Sequence, residues 1–434
     1  MVMKVCLRLI IIVLYMKLFT CAYRIMVTRK GLSEAPCGCS GGTKTRILLL
    51  IPVLREQNVI LKTLTHFTKL KTENTDILVC IAGTSREKSQ RPDRETTGDI
   101  VSRWINDNSC ACTFRYAEIN EQEGDRASQL NYAVKANEDF RSDIIGVYDA
   151  DSLPDSETLN EISARWQNSK STVFQQPVHF VEAANKMAHE GANPILTANA
   201  LYQTTWTVIR EYPVWYQHHR FCMEKNGGGL FPRNDYLIGH GEFIPYSVYR
   251  SYRFPEQEIT DGIQLGYRLS MSGADICTLN TFCSDDVPQS FRQLIGQHKR
   301  WFGGCNRLVE AYMWCLSSCG RASAVQVIDV FFSQASWAFA GILHLVGLLL
   351  SVFSALNGDI LPALLEVLGV LAYCYAVPYA AHKIILVKIH VRLLDWLCLP
   401  LAIFTKGIGP NVYFFQRITS IFTKRRISYS KVER

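Results

Sequence analysis

From Val330 to Gly358 the sequence contains no Asp, Glu, Lys or Arg. That absence excludes a solvated surface helix. The run exceeds the ~20 apolar residues that cross a bilayer's hydrocarbon, so a transmembrane helix is expected there. The glycines Gly227 to Gly229 lack a following Lys-Ser/Thr pair, which excludes a phosphate loop and leaves a flexible loop as the expectation. No internal repeat and no low-complexity tract occurs. Cysteine is not scarce, at 15, but the pairs Cys37/Cys39 and Cys110/Cys112 lack the two-residue spacing and His partners of common zinc modules. An odd number of cysteines, spread through apolar and polar segments alike, points to free thiols.

What is present divides the 434 residues into roughly two to three structural units. Near the start Leu9 to Met16 is wholly apolar, and Arg8 and Lys17 flank it closely enough to shorten any span. A signal peptide is the competing reading, but no small-residue cleavage site follows cleanly, and Arg24, Arg29 and Lys30 lie just beyond. Those cations place the next segment in the cytoplasm by the positive-inside rule. A second C-terminal apolar stretch, Ile360 to Ala381, is interrupted by Glu366. A third, Leu393 to Thr405, holds Asp395 and Pro400 and is too short to cross unaided, which suggests a re-entrant or interfacial segment. The tail from Lys424 to Arg434 is basic and reads as cytoplasmic. The net charge of +7, gathered near these flanks, argues for lipid headgroups and against nucleic acid as the partner.

The expected organisation is therefore a membrane anchor over 1–30, a Gly/Ser/Cys-bearing linker over 31–45, and a cytoplasmic domain over 46–304. A membrane region over 305–423 and the basic tail 424–434 follow. Within the domain, strand-length apolar runs at Arg46 to Val53, Asp76 to Ala82, Thr113 to Ile119 and Asp143 to Tyr148 alternate with helical patterns such as Ile60, Leu64 and Phe67. This is an α/β pattern: a mostly parallel sheet covered by helices, with ligands beyond the carboxyl ends of the strands.

Two constellations carry chemistry. Asp149 and Asp151 end an apolar strand with one residue between them. Hard carboxylates that repel one another suit a magnesium or manganese ion, which neutralises a diphosphate leaving group; a solvated turn is the plainer reading. Gln297, Arg300 and Trp301 lie in a segment whose apolar residues, Phe291, Leu294, Ile295 and Phe302, recur at helical spacing. Amide, guanidinium and indole then project within one turn and offer a surface to a diphosphate and a sugar ring; a helix lying on the membrane would share this pattern. The cluster His218-His219-Arg220 beside Trp215 and Tyr216 is expected at a membrane surface rather than in a ligand site.

Taken in order, these segments resemble the membrane-integrated family 2 glycosyltransferases, the group of cellulose, chitin and hyaluronan synthases and ceramide glucosyltransferase. The resemblance runs from about Arg46 to Trp301. Ile51-Pro52-Val53 with Glu56 is similar to the family's opening strand and donor-contacting turn. The segment from Gly124 through Arg126 to Asn131 is similar to a diphosphate-binding segment that normally has Lys near the position of Arg126. Asp149 and Asp151 match the metal-binding pair, Gly239 to Phe243 looks like the acceptor region, and Gln297, Arg300 and Trp301 match Gln-x-x-Arg-Trp. The resemblance implies a GT-A type mixed sheet with helices on both faces, transmembrane helices, a UDP-sugar donor and a divalent cation. It further implies an inverting transfer to a growing polysaccharide, with single-sugar transfer to a lipid acceptor as the alternative and an oligomer as an open possibility.

Two departures stand out. The second strand, Ile77 to Ser85, lacks the Asp that usually contacts the nucleotide base. The family's Thr-Glu-Asp appears as Thr260-Asp261-Gly262 ahead of Leu265-Gly266-Tyr267-Arg268-Leu269, so Gly262 stands where the base is usual. Asp261 is the candidate general base, with Glu258 and Glu242 as alternatives; the plainer reading is that Asp261 caps a helix. From another class, an inactive membrane scaffold or receptor would explain both departures but not the retained Asp149, Asp151, Gln297, Arg300 and Trp301.

Overall fold

The computed structural model describes residues 2–34, 44–70, 72, 74–90, 93–108, 113–120, 124–223, 235–320, 322 and 324–423. Cys37, Cys39, Cys110, Cys112, the glycines 227–229 and the basic tail lie outside the described residues. The strands are β1 (Thr45–Pro52), β2 (Thr75–Thr84), β3 (Phe114–Ile119), β4 (Ile144–Val147), β5 (Val173–Gln175), β6 (Val178–His179), β7 (Glu242–Pro245), β8 (Ile276–Thr278) and β9 (Cys283–Ser284). Seven form one sheet in the order β3-β2-β1-β4-β7-β5-β8, and β6 pairs with β9 apart from it. All main-sheet pairings are parallel except those of β7 with β4 and β5.

The interior strand β1 explains the layering. Ile47 through Ile51 are fully buried. Ile47, Leu49 and Ile51 enter one core while Leu48 and Leu50 enter the other. Successive side chains of a strand point to opposite faces, so an unbroken apolar run requires cover on both. The helices Ile60–Phe67 and Ser156–Asn168 contribute to the first core, and Arg126–Ala136 and Asp261–Ser272 to the second. The carboxyl ends of β1 and β4 deliver Pro52 and Asp149 to the same edge, as expected for a sheet of this kind.

Among the described residues three helices are long and apolar enough to cross a membrane: Val2–Ser33, Ala324–Leu356 and Ile360–His382. The first is far longer than its wholly apolar run of eight, and two of the cations within it, Lys17 and Arg24, meet protein groups. Lys17 donates to Ser336 Oγ at 3.0 Å and Arg24 to the Ile209 carbonyl at 3.4 Å. Glu366, which interrupts the third, is fully buried against Gly347, where a Cβ would lie 2.9 Å from its carboxyl carbon. Small residues facing a polar side chain are a means of tolerating it inside a helix bundle. The stretch from Leu393 forms two short helices, Leu393–Leu397 and Leu399–Thr405, followed by Ile408–Thr423.

The His218 cluster corrects its expectation. The helix Tyr212–Met223 covers the sheet beside β8 instead of lying at a surface. Trp215 is 1% exposed and donates its indole N–H to the Tyr236 carbonyl at 2.9 Å, and His218 Nδ1 lies 3.3 Å from Asp235 Oδ2. Next to it, His219 Nδ1 stands 2.9 Å from Asp275 Oδ1. Burial opposes its charge, but Asp275 prevails and raises its pKa from 6.5 to about 10. A cation with a raised folded pKa gives stability that is full below about 6.5 and is lost as pH rises through about 10. His219→Gln should therefore melt below wild type at pH 7, by roughly 1.5 kcal/mol, with the gap closing at pH above 10. A gap constant with pH in detergent melting curves would assign His219 a packing role only.

Candidate functional site

One cavity of 760 Å³ takes in most of the sequence-predicted residues. Pro52, Glu56, Arg126, Asp149 and Asp261 line its sheet end, and Gln297, Arg300 and Trp301 line its other wall. Asp151 is not on the wall; both its carboxylate oxygens are buried, on the side of Cys283, whose thiol is pushed up by burial, by Asp285 and by Asp151.

Local sequence explains each placement. Asp125 caps the helix Arg126–Ala136 by accepting from the Ser128 N–H at 2.8 Å, which fixes Arg126 in its first turn. From there Arg126 spans the site. Its Nη1 donates to Asp261 Oδ2 at 2.5 Å, and its Nη2 to Asp149 Oδ1 at 3.2 Å and to the Gly239 carbonyl. Burial opposes its charge, but Asp261, Asp149 and Glu242 around it hold it firmly protonated. Asp261 opens the helix Asp261–Ser272, and its carboxylate is turned to Arg126, so the plain capping reading does not describe it. Glu258 is taken by Arg268 at 3.0 Å and Arg307 at 2.6 Å, which removes it as a candidate base.

Both departures from the family pattern are filled by neighbouring strands. A Cβ on Gly262 would lie 2.5 Å from Gly239 N, 2.6 Å from its Cα and 3.3 Å from Glu242 Oε2. The carboxylate of Glu242, on β7, thus stands beside the place that a side chain at 262 would take. It is fully buried, and burial pushes its pKa up to about 8 against the pull of Arg126. At the second strand, a Cβ on Gly83 would lie 2.7 Å from the Tyr116 ring of β3, whose hydroxyl donates to Glu118 at 2.7 Å. The nearest acid beyond that strand, Glu87, is 5% exposed and accepts from the backbone N–H groups of Arg55 and Thr97, so it builds the turn carrying Glu56 rather than facing the cavity.

The helix Phe291–Cys305 bears the Gln-x-x-Arg-Trp residues and starts at Ser290, which accepts from the Gln293 N–H. It does not lie free on a surface. Gly304 packs on Thr260, and Gly409 of the helix Ile408–Thr423 packs on His298 and Lys299. Glycine permits that double approach because any Cβ would collide with atoms under 3 Å away. The sequence offers Glu242 as an alternative base but not its place beside Gly262, and two residues escape it: Tyr116 had no signal, and Lys406, which lines the cavity, had only its isolation in an apolar segment.

A divalent cation fits the donor chemistry of the strand end. Asp149 presents a hard oxygen to the cavity with its side chain 35% exposed. Among the described residues no group of three His, Cys, Asp or Glu forms a complete metal cage. Magnesium-like ions are usually held by one or two carboxylates, with water and substrate phosphate oxygens completing the shell. The residues present match that pattern.

The model of a family described as glycosyltransferase-like family 2 matches residues 45–304, more than half of the chain. No curated protein matches. Among solved structures, a mannosyltransferase of Pyrobaculum calidifontis, determined with GDP-Man and Mn2+, is 14% identical with a TM-score of 0.52; the match covers 93% of this chain and 99% of that one. S. aureus TarS 1–349 with UDP-GlcNAc is 12% identical with a TM-score of 0.39, covering 90% and 98%. The first likeness supports a shared fold, and the second carries nothing further. With its mixed, mostly parallel sheet of GT-A type and its matched domain, the chain belongs to glycosyltransferase family 2.

Proposed function

We propose that the protein is a membrane-integrated inverting glycosyltransferase that uses a nucleoside-diphosphate sugar. The observation that carries this reading is the single cavity joining the Arg126 cluster to Gln297, Arg300 and Trp301. Pro52 and Glu56 border the donor. Arg126, Gln297 and Arg300 bind the diphosphate, Trp301 meets a sugar ring, and Asp149 would hold a magnesium or manganese ion, whereas Asp151, expected as its second ligand, is turned away from the cavity toward Cys283. That ion would supply charge neutralisation for the leaving diphosphate. Asp261, ion-paired with Arg126, takes the acceptor proton as the acceptor oxygen attacks the anomeric carbon and the bond to the diphosphate breaks. Glu242 stands behind it and sets the charge balance around Arg126.

The three apolar helices are read as crossings, with 46–304 and the basic tail on the cytoplasmic side and the segment after Leu393 remaining in the interface. Three crossings offer little material for a channel, so an acceptor that stays in the membrane fits better than an extruded polymer. Polymer synthesis retains one supporting observation, the indoles of Trp206, Trp301 and Trp337 along the cavity. Product length after incubation with donor separates the two.

The test is nucleotide release by detergent-solubilised protein, screening UDP- and GDP-sugars with and without manganese. Asp149→Asn should remove the metal dependence, and Asp261→Asn should lower kcat by about 10²–10⁴-fold with donor binding retained. Absence of both release and binding with every donor would reject the reading.

A further inference from the structure

The far end of the cavity is built around a cation that the transfer chemistry above does not use. Lys406, between the helices Leu399–Thr405 and Ile408–Thr423, is 5% exposed and lines the cavity. Its Nζ donates to Tyr202 Oη at 2.7 Å and lies 4.2 Å from the Tyr202 ring centroid and 5.4 Å from that of Trp206. The Tyr202 hydroxyl is 2.9 Å from that of Tyr373, and the Tyr373 ring lies 4.7 Å from Lys17 Nζ. Lys17 and Lys406 sit at one level of the helix Ala324–Leu356: the first donates to Ser336 Oγ, and the carbonyl of the second accepts from Trp337 Nε1 at 3.1 Å. Among the described residues neither lysine is in ion-pair contact with a carboxylate.

The magnitudes leave this arrangement incomplete. A buried ion forfeits several kcal/mol of solvation. Cation–π contacts return about 0.5–2 kcal/mol each. Two lysines linked through the Tyr202–Tyr373 pair, one by a hydroxyl and one by a ring face, therefore still favour an anion. The cavity is also lined by apolar and aromatic groups here, including Val330, Trp206 and Trp337, which suits the chain of an amphiphile rather than a free ion.

We propose that Lys406, backed by Lys17 through Tyr202 and Tyr373, binds the phosphate headgroup of an amphiphilic acceptor at the membrane end of the cavity. This rests on the glycosyltransferase reading and names the acceptor class for the same site.

The test measures ligand-induced melting shifts of the full-length protein in detergent with phytanyl phosphate, phytanol and inorganic phosphate, and binding of UDP and GDP in parallel. Phytanyl phosphate should bind at least tenfold more tightly than phytanol or inorganic phosphate. Lys406→Met should lose that tenfold while binding nucleoside diphosphate as wild type does, and Lys406→Arg should recover part of it. Equal binding of phytanyl phosphate and phytanol would overturn the proposal. So would inorganic phosphate binding as tightly as its phytanyl ester, or an unchanged Lys406→Met. If Lys406→Met does not fold, the wild-type ligand series decides alone. Failure of nucleotide release with intact phytanyl phosphate binding would reject the transferase reading and spare the headgroup site.

Discussion

Arg126→Met is expected to abolish nucleotide-sugar turnover and to be among the most destabilising single changes in the domain. The guanidinium is the shared partner of Asp149 and Asp261, and Glu242 lies within its field. Its removal leaves Asp149 and Asp261 without their shared cation beside the fully buried Glu242, with the Asp261 side chain 12% exposed. Breaking a buried pair by deleting one partner costs about 3–5 kcal/mol, and the partial exposure of Asp149 puts the expected loss at the lower end of that range. Adding Glu242→Gln should recover a measurable part of the melting temperature at alkaline pH, where Glu242 would otherwise ionise without its cation, and little at pH 7. Additive effects in the double variant would show that Glu242 and Arg126 act separately. Arg126→Lys should not restore activity, since an ammonium lacks the planar fork that reaches two carboxylates and a carbonyl at once.

Gly262→Asp is the second large effect, and its direction runs against the family pattern. Supplying the acid usual at this position should destroy activity rather than raise it. The new Cβ would meet backbone, Gly239 N at 2.5 Å, and backbone does not yield as a flexible side chain does. Overpacking of this kind costs about 1–3 kcal/mol. The carboxylate would then enter beside Glu242 and Asp261, where like charge and burial oppose it. Gly262→Ala separates the two causes: it should carry the steric loss alone, so its melting temperature should fall between wild type and Gly262→Asp. Turnover raised above wild type in Gly262→Asp would show that position 262 still accepts the family's base and that Glu242 has not displaced it.

These outcomes follow from contacts that the sequence signals only in part. The alternating strands and helices were legible because burial on both faces forces continuous apolar runs, and the structure places β1 to β4 where those runs lie. Gln297, Arg300 and Trp301 were legible from helical spacing, and they do share one cavity wall. The His218 segment misled because a short basic and aromatic run is the same in composition whether it meets a membrane or a sheet; Asp235 and Asp275, which neutralise it, come from distant positions. Lys17 stands in the sequence as a limit on the N-terminal apolar run, and only the fold supplies its partner, Ser336, from more than three hundred residues away.

The sequence by itself determined the layered α/β core, the apolar segments and the order of the acidic, amide and indole motifs, since these depend on local periodicity and on neighbours within one turn or strand. Only the tertiary structure decided how the two departures are accommodated, with Tyr116 beside Gly83 and Glu242 beside Gly262, and which carboxylates share Arg126. It also brought Lys17 and Lys406 to one level around Tyr202 and Tyr373. The physical reason is common to all of these. Desolvation and Coulomb interaction depend on distance and burial in space, and an absent side chain or an isolated lysine acquires meaning only from the residues that pack against it.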